Sequence, residues 1–266
     1  ILAEIDRPSA ITEVYQGAIY GHQGDTFLVE RFDYDDRRAF VRRIDADYYT
    51  EADTETDVRV LHLDEREDHR HYVAHRGEVH VSTVAKAFKK IRYYTRENVG
   101  IGEIHLPPEE FETEAMALVL AKELVARLGL QKGGESSCLA GVGELVQGLV
   151  PLFARVDPGD VKVLAEALHP HFEAPTLIVY DRVPNGVGLA ERIFRVHREI
   201  LRAALELVRR CSCRSGCPSC IGPAAGLGAR SKSVAATILT AMLDDNGQPL
   251  PAAATGDAAT ALEGAW

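Results

Sequence analysis

Four cysteines fall within ten residues, in the segment CSCRSGCPSC, and this cluster restricts the fold more than any other feature of the sequence. They are Cys211, Cys213, Cys217 and Cys220. The two-residue gap of the second pair lets one turn direct two thiolates at one ion, and Gly216 supplies the backbone freedom such a turn needs. Four thiolates satisfy the tetrahedral preference of zinc and leave no coordination position open. We therefore expect a structural zinc ion rather than a catalytic one.

The same cysteines leave two alternatives to zinc. A [4Fe–4S] cluster also takes four thiolate ligands and is the less favoured cofactor. Free or disulfide-bonded cysteines are disfavoured, because the sequence has no secretory signal and we expect a reducing, cytoplasmic compartment. The fifth cysteine, Cys138, lies far from the cluster in sequence and is expected to be a small buried side chain.

The bulk composition indicates a globular chain. With 266 residues, 46% of them apolar, it can bury a core in one large domain or two small ones. No apolar run approaches the roughly 18 residues that suggest a membrane helix, so we expect no membrane partner. The first residue is Ile rather than Met, and we expect the chain to be part of a longer protein. The net charge of -10 argues against non-specific coating of nucleic acid, because neutralising phosphates requires surplus Lys and Arg.

Short β-type segments separated by Gly and Asp fill the first part of the chain, and they predict an antiparallel β-barrel-like subdomain over residues 1–106. The segments are ITEVYQGAIY, DTFLVERFD, RRAFVRRID, TDVRVLHLD, HYVAH and GEVHVSTVAKAF. Gly24-Asp25 and Arg76-Gly77 are the predicted turn tips. Five histidines in this acidic region are interpreted as surface side chains: His62, His69, His71, His75 and His80.

The pattern becomes helical after Pro107-Pro108, which predicts a mostly helical zinc-binding subdomain over residues 107–245 and therefore an α+β fold class. Predicted helices cover FETEAMALVLAKELVARLGL, LAGVGELVQGLVPLF, residues 188–210 and SKSVAATILTAML, and EAPTLIVYD predicts a buried strand. Residues 246–266 predict a disordered tail. The cysteine loop lies between the last two helices, so its metal would contribute folding free energy on the order of 10 kcal/mol.

The segment VAKAFKKIRYYTREN mixes basic and aromatic residues, as phosphate contacts and base stacking require. A strand with one solvated face and one core face explains the pattern equally well. The candidate nucleic-acid contacts in this segment and on the arginine-bearing helix are Lys86, Lys89, Lys90, Arg92, Tyr93, Arg96, Arg195 and Arg202.

The turn PNGVG follows the predicted buried strand and precedes the long helix, yet it matches neither phosphate-binding glycine motif. We interpret it as a tight turn that needs Gly186 and Gly188, capped or braced by Asp181. No Ser-His-Asp or Cys-His arrangement stands out, and no catalytic residue is predicted.

With these motifs the chain resembles the C-terminal zinc-binding region of the MrfA- and Hrq-type superfamily 2 DNA helicases. The resemblance runs from about residue 5 to residue 245 and is carried by CSCRSGCPSC, PTLIVYDRVPNGVGLAERIF, GLVPLFARVDPGDV, GAIYGHQGDTFLVERFD and DADYYTEAD. Relatives often read P-G-G-x-G where this chain has Asn185, a residue that a left-handed turn accepts.

The resemblance implies an ATP-dependent 3'-5' DNA helicase involved in DNA repair, with this region C-terminal to the motor. The sequence contains neither a phosphate-loop motif nor a DExH box, so we expect no enzymatic activity of the chain alone. Only the four zinc ligands carry over residue by residue. We expect an accessory module whose partners are DNA, single-stranded by preference, and motor domains outside the chain.

Two other functions stay open. One is a protein-interaction scaffold with a structural zinc, whose acidic β-rich part never touches nucleic acid; the net charge favours it. The other is a metal-dependent hydrolase, which a closed four-thiolate site disfavours.

Overall fold

The structure, a computed structural model, describes residues 1–128, 135–222 and 231–244, and of residues 135–138 it gives the backbone only. The predicted disordered tail and the side chain of Cys138 lie outside the described residues. The elements follow in this order: α1 (Arg7–Glu13), β1 (Ile19–His22), β2 (Asp25–Asp33), β3 (Arg38–Ile44), β4 (Tyr48–Asp68), β5 (Tyr72–Arg92), β6 (Asn98–Glu103), β7 (Glu109–Leu120), α2 (Lys122–Arg127), α3 (Glu135–Ala154), β8 (Val161–His169), β9 (Ala174–Asp181), α4 (Leu189–Arg210) and α5 (Ser231–Met242).

Two antiparallel sheets and the helices give the α+β class that the sequence predicts. One sheet has the order β1-β2-β3, and the other has the order β4-β5-β7-β9-β8, with β6 paired to β5. Neither sheet closes on itself, so the predicted barrel-like arrangement is correct only loosely. The strands form open antiparallel sheets with edges.

The chain divides into two compact units, which alternate along the sequence. The first comprises Ile1–Arg59 and His80–Phe111, and the second comprises Val60–Val79 and Glu112–Trp266. The long hairpin of β4 and β5 therefore contributes its outer part, residues 60–79, to the second unit. The division into subdomains of residues 1–106 and 107–245 stays a prediction.

The first unit has a small core and a helix where the sequence predicts a strand. Val14, Tyr15 and Phe88 are buried together. The strand prediction for ITEVYQGAIY is wrong at its start, because α1 occupies residues 7–13. The side chain of Asp6 accepts a hydrogen bond from the backbone N–H of Ser9 at 3.2 Å and caps this helix, and that cap precedes the segment on which the prediction rested.

Two turn predictions have different outcomes. The β1–β2 turn lies one residue earlier than predicted, at Gln23 and Gly24, which both have positive φ (49° and 86°) as a two-residue hairpin turn demands. Arg76-Gly77 is not a turn, because it lies inside β5. A Cβ on Gly77 would overlap the carbonyl oxygen of His62, so this glycine permits a close approach of β4 and β5.

The interpretation of all five histidines as surface side chains is also wrong. His71 and His75 are only 8% and 7% exposed, and the side chain of His69 is 9% exposed. His69 and His71 lie in the β4–β5 turn and His75 lies near the start of β5, all within the second unit. The alternation of residues along a strand could not indicate that both faces are covered here.

The second unit packs α3, α4 and α5 on one another; α3 also contacts β8 and β9, and α4 contacts β9. The predicted helix over FETEAMALVL is wrong, because these residues form β7, which pairs with β9 from Ala115 opposite Tyr180 to Val119 opposite Thr176. Sheet pairing overrides the helix propensity of its Ala, Leu, Met and Glu residues. The predictions of α3, α4, α5 and β9 are confirmed, and β8 was not predicted.

Candidate metal centre

The four predicted cysteine ligands converge on one point. The Sγ–Sγ distances are 3.5 Å for Cys211–Cys213 and Cys211–Cys217, and 3.6 Å for Cys213–Cys220 and Cys217–Cys220. A disulfide would bring two sulfurs to about 2.05 Å, so these four are separate thiols. Zinc with Zn–S bonds of about 2.3 Å places the sulfurs of a regular tetrahedron about 3.8 Å apart. The cluster therefore fits a single tetrahedral ion with thiolate ligands.

The end of α4 and a tight turn position the sulfurs. Cys211 is the C-cap of α4, and its backbone N–H donates to the carbonyl oxygen of Leu207 at 3.1 Å. The N–H groups of Cys220 and Gly222 both donate to the carbonyl oxygen of Cys217, at 2.9 and 3.1 Å. Gly216 has a φ of 136°, and a Cβ there would lie 2.8 Å from the carbonyl oxygen of Gly222. The turn thus requires the glycine that the sequence indicated.

The cysteine loop is anchored in the core of the second unit. Ile221 is fully buried, and Cys220 is 6% exposed. From α5, the ammonium of Lys232 donates to the carbonyl oxygens of Cys211 and Cys213. The loop therefore lies between the last turn of α4 and the first turn of α5, and an ion held there joins the two helices.

The two ends of the cluster differ electrostatically. Hydrogen bonds from the backbone and thiol of Cys213 lower the pKa of Cys211 to about 7. Burial raises the pKa of Cys220 to about 12, because an isolated buried thiolate is poorly solvated. A divalent cation favours the thiolate form of every ligand, so its charge would outweigh the burial of Cys220.

A second polar arrangement braces the start of α4. Asp181, fully buried at the end of β9, accepts hydrogen bonds through Oδ2 from the N–H groups of Val187 (3.0 Å) and Leu189 (3.2 Å). The predicted bracing role of Asp181 is thereby confirmed. Asn185 and Gly188 take positive φ values of 65° and 80°, so the turn accepts asparagine as expected. Burial raises the pKa of Asp181, while these backbone donors act in the opposite direction.

The predicted nucleic-acid contacts lie in two places. Those of the segment VAKAFKKIRYYTREN occupy the end of β5 and the following turn, in the first unit, whereas Arg195 and Arg202 lie on α4, in the second. Several are engaged on the protein surface: Lys86 with Glu55, Arg92 with Asp47 and Glu97, Arg195 with Glu191, Arg96 with the hydroxyl of Tyr49, and Lys90 over the ring of Tyr48. Lys89 is exposed on β5 and Arg202 on α4.

The segment VAKAFKKIRYYTREN includes Tyr94, but the predicted contacts did not include it, and the sequence indicated neither the exposed Ile101 nor a second group of possible metal ligands. Tyr94, in the turn between β5 and β6, is 97% exposed, and Ile101 on β6 is 70% exposed. In the second unit, Glu67, His69 and His197 bring potential metal-ligating atoms within 4.8 Å of one another. His197 is 128 residues from His69 in sequence, so no local spacing could have indicated this second group.

Comparison with known families and proteins identifies relatives along most of the chain. The family model described as the MrfA Zn-binding domain matches residues 142–221. The uncharacterized ATP-dependent helicase YprA of Bacillus subtilis is 38% identical over 224 residues, which cover 84% of this chain and 29% of that protein. The ATP-dependent helicase HRQ1 of Saccharomyces cerevisiae is 25% identical over 233 residues, covering 83% of this chain and 22% of that protein.

Two solved structures that are similar to this chain are also helicases. The crystal structure of the DUF1998 helicase MrfA bound to DNA superimposes with a TM-score of 0.65 at 36% identity, covering 90% of this chain and 31% of that one. The crystal structure of the DUF1998 helicase MrfA gives a TM-score of 0.62 at 32% identity, covering 91% and 32%. The chain thus spans less than a third of the length of these proteins. Among the helices of the described residues, none is long and apolar enough to cross a membrane.

Proposed function

We propose that this chain acts as an accessory module of a larger enzyme. The premise is that the chain is the C-terminal zinc-binding region of a helicase of the MrfA and Hrq1 family. The enzyme is an ATP-dependent 3'-5' superfamily 2 DNA helicase that serves in DNA repair. The module holds a structural zinc ion, contacts DNA and positions the motor domains. ATP hydrolysis and strand separation are assigned to the motor and not to this chain.

The single observation that carries the proposal is the set of four sulfurs, 3.5 to 3.6 Å apart, between α4 and α5. We assign all four as ligands of one zinc ion: Cys211, Cys213, Cys217 and Cys220. Zinc supplies four strong bonds that add to the apolar anchoring of the loop by Cys220 and Ile221. The spacing supports zinc over an iron–sulfur cluster, because four thiolates around four iron atoms must lie farther apart than four around one ion. A closed ligand set supports a structural role, since no position remains for water.

The proposed DNA contact is the turn between β5 and β6. Tyr94 is almost fully exposed there, and Lys89 lies nearby on the ladder, paired with the exposed Ile101 on β6. An exposed aromatic ring beside basic side chains suits stacking on a base and contact with phosphates of a single strand. The DUF1998 helicase MrfA has been crystallised bound to DNA, and we extend DNA binding to this chain as part of the proposal.

The ion pairs formed by several predicted contacts do not oppose this role. Lys86 and Arg92 are paired with carboxylates at the protein surface, where such pairs contribute about 0–1 kcal/mol. Exchanging a carboxylate for a DNA phosphate therefore costs little. We keep these two residues as proposed phosphate contacts. The other predicted nucleic-acid contacts also stay in the proposal: Lys90, Tyr93, Arg96, Arg195 and Arg202.

A protein-interaction scaffold is the second candidate, and one feature of β4 favours it. Glu51, Asp53, Glu55 and Asp57 are all exposed and occupy alternate positions, so they share one face of this strand. Among the described residues, β4 pairs only with β5 and forms an edge of its sheet. An acidic edge repels phosphates and suits a basic protein partner.

Fluorescence anisotropy with labelled single-stranded DNA separates the two functions. An accessory DNA-binding module is expected to bind at low salt and to weaken steeply as salt rises. Tyr94→Ala should weaken binding about tenfold through lost stacking, and Lys89→Ala should reduce the salt slope by about one. The matched control is Phe40→Ala, an exposed ring on β3 that the guanidinium of Arg31 covers at 4.2 Å, and it should change little. Absence of binding at low salt would favour the scaffold.

A further inference from the structure

A polar cluster joins the β4–β5 turn to the middle of α4. His197 is 3% exposed, and its ring lies edge-on to that of His69, with centroids 5.4 Å apart. His69 stacks on the fully buried Tyr72 at 4.3 Å between centroids. Glu67, about half exposed, reaches the same point from the end of β4. Two imidazoles and one carboxylate thus meet at the edge of the second unit's core.

The distances between the donor atoms match those around a small divalent ion. Nε2 of His69 lies 3.0 Å from Oε1 of Glu67 and 3.4 Å from Nε2 of His197. Zinc with bonds of about 2.0–2.1 Å to nitrogen and oxygen places neighbouring ligand atoms of a tetrahedron about 3.3 Å apart. One ion can therefore contact all three side chains with only small side-chain movements.

His197 is oriented as a metal ligand would be. Its Nδ1 lies 2.6 Å from the carbonyl oxygen of Phe194, and because a carbonyl only accepts, this nitrogen carries the proton. The lone pair of the imidazole is therefore on Nε2, which points into the cluster. A ring nitrogen that donates to a backbone carbonyl is the usual outer support of a histidine bound to a metal.

We propose that Glu67, His69 and His197 form a second metal site for a divalent transition ion, zinc first. The ligands are two imidazoles and one carboxylate, and the exposure of Glu67 leaves the fourth position to water. This ion would fasten the β4–β5 turn to α4, whose C-terminal end carries the four-cysteine centre. Its chemistry is distinct from that centre, because it has nitrogen and oxygen ligands and an open position.

Two neighbouring side chains, Arg198 and Tyr72, oppose ion binding through their hydrogen bonds to His69 and His197. The guanidinium of Arg198 lies 3.0 Å from Nδ1 of His69 and can only donate, so it directs the ring proton of His69 to Nε2, toward Glu67. The hydroxyl of Tyr72, 3.0 Å from Nε2 of His197, donates to the lone pair that the ion would use. Ion binding moves the ring proton of His69 to Nδ1 and displaces Arg198.

Calorimetric titration of the full 266-residue chain, already carrying one equivalent of zinc, tests the site. We expect one further Zn²⁺ per chain. Glu67→Gln, at a position that is about half exposed, should weaken the second event at least about tenfold, and His197→Gln should abolish it. Arg198→Gln should strengthen it about tenfold, because it removes a cation and offers Nδ1 of His69 an amide oxygen. His62→Gln, an exposed histidine on β4, is the matched control and should change nothing.

Cobalt separates the two centres. Co²⁺ bound by the cysteines gives intense sulfur-to-metal charge-transfer absorption, whereas Co²⁺ at the proposed site should add only weak visible bands. A stoichiometry that stays at one ion per chain would overturn the proposal. So would a second binding event that Glu67→Gln and Arg198→Gln leave unchanged, because that would be adventitious binding at the surface.

Discussion

The ammonium of Lys232 lies 2.5 Å from the carbonyl oxygen of Cys211, and it also donates to the carbonyl oxygen of Cys213 at 2.6 Å. Zinc bound by four thiolates carries a net negative charge, and the cation of Lys232 partly compensates it. The same side chain fastens α5 to the cysteine loop. Lys232 therefore connects α5 to the cysteine loop and also stabilises the bound ion. The spacing of the cysteines gave no indication of this residue.

Lys232→Met should destabilise the chain by about 2–3 kcal/mol, because it removes two hydrogen bonds from a charged donor and keeps the apolar stem. It should also accelerate the loss of zinc to a chelator. Urea unfolding and a colorimetric chelator assay measure both effects. Lys162→Met, at an exposed position on β8, is the control. Equal stabilities of the two variants would show that the contact with Cys211 contributes nothing.

Gly102 and Gly100 on β6 provide a matched pair for the core of the first unit. A Cβ on Gly102 would overlap the ring of Phe88, which is 5% exposed and pairs with Gly102 across the β5–β6 ladder. Gly102→Ala should therefore cost about 1–3 kcal/mol through overpacking. At Gly100 the new Cβ meets only Cδ of Lys90 at 3.4 Å, the flexible stem of a side chain. Thermal unfolding should show little change for Gly100→Ala, and a similar loss in both variants would contradict the packing described.

Asp181 predicts an unusual dependence of stability on pH. Burial raises its pKa in the folded chain above the ordinary value of 3.8, so the folded state binds a proton more readily than the unfolded state does. The contribution of Asp181 to stability therefore falls as pH rises from about 3.8 through the raised folded pKa, and is constant above it. Asp181→Asn keeps an acceptor for Val187 and Leu189 without the titration.

Urea unfolding of the wild type and Asp181→Asn between acid and neutral pH measures the direction in which the contribution of Asp181 to stability changes with pH. The stability of the wild type relative to Asp181→Asn should decrease as pH rises through that window. Asp181→Ala removes the acceptor altogether and should cost about 1–3 kcal/mol at neutral pH, because two backbone N–H groups lose their partner. If the wild type instead became more stable relative to Asp181→Asn as pH rises, the result would contradict a raised pKa of Asp181.

The features that the sequence predicted best are those that depend on residues close together in the chain. The cysteine spacing and Gly216 lie within one short loop, and the amphipathic period of α4 is set by its own residues. The residues of β7 favour a helix locally, yet pairing with β9 makes them a strand. Burial of His71 and His75 and the meeting of His69 with His197 depend on segments far apart in sequence. Such non-local contacts are absent from any window of residues.

The most direct test of the central claim, that one zinc ion joins α4 to α5, is hydrogen–deuterium exchange of the chain before and after zinc is removed by a chelator. Metal analysis should first give zinc, without the visible absorption of an iron–sulfur cluster, and this zinc should be lost on Cys217→Ser. The account predicts that removal abolishes exchange protection in α5 and in the last turns of α4, while the β1–β3 sheet keeps its protection. Unchanged protection of α5 in the zinc-free chain would contradict it.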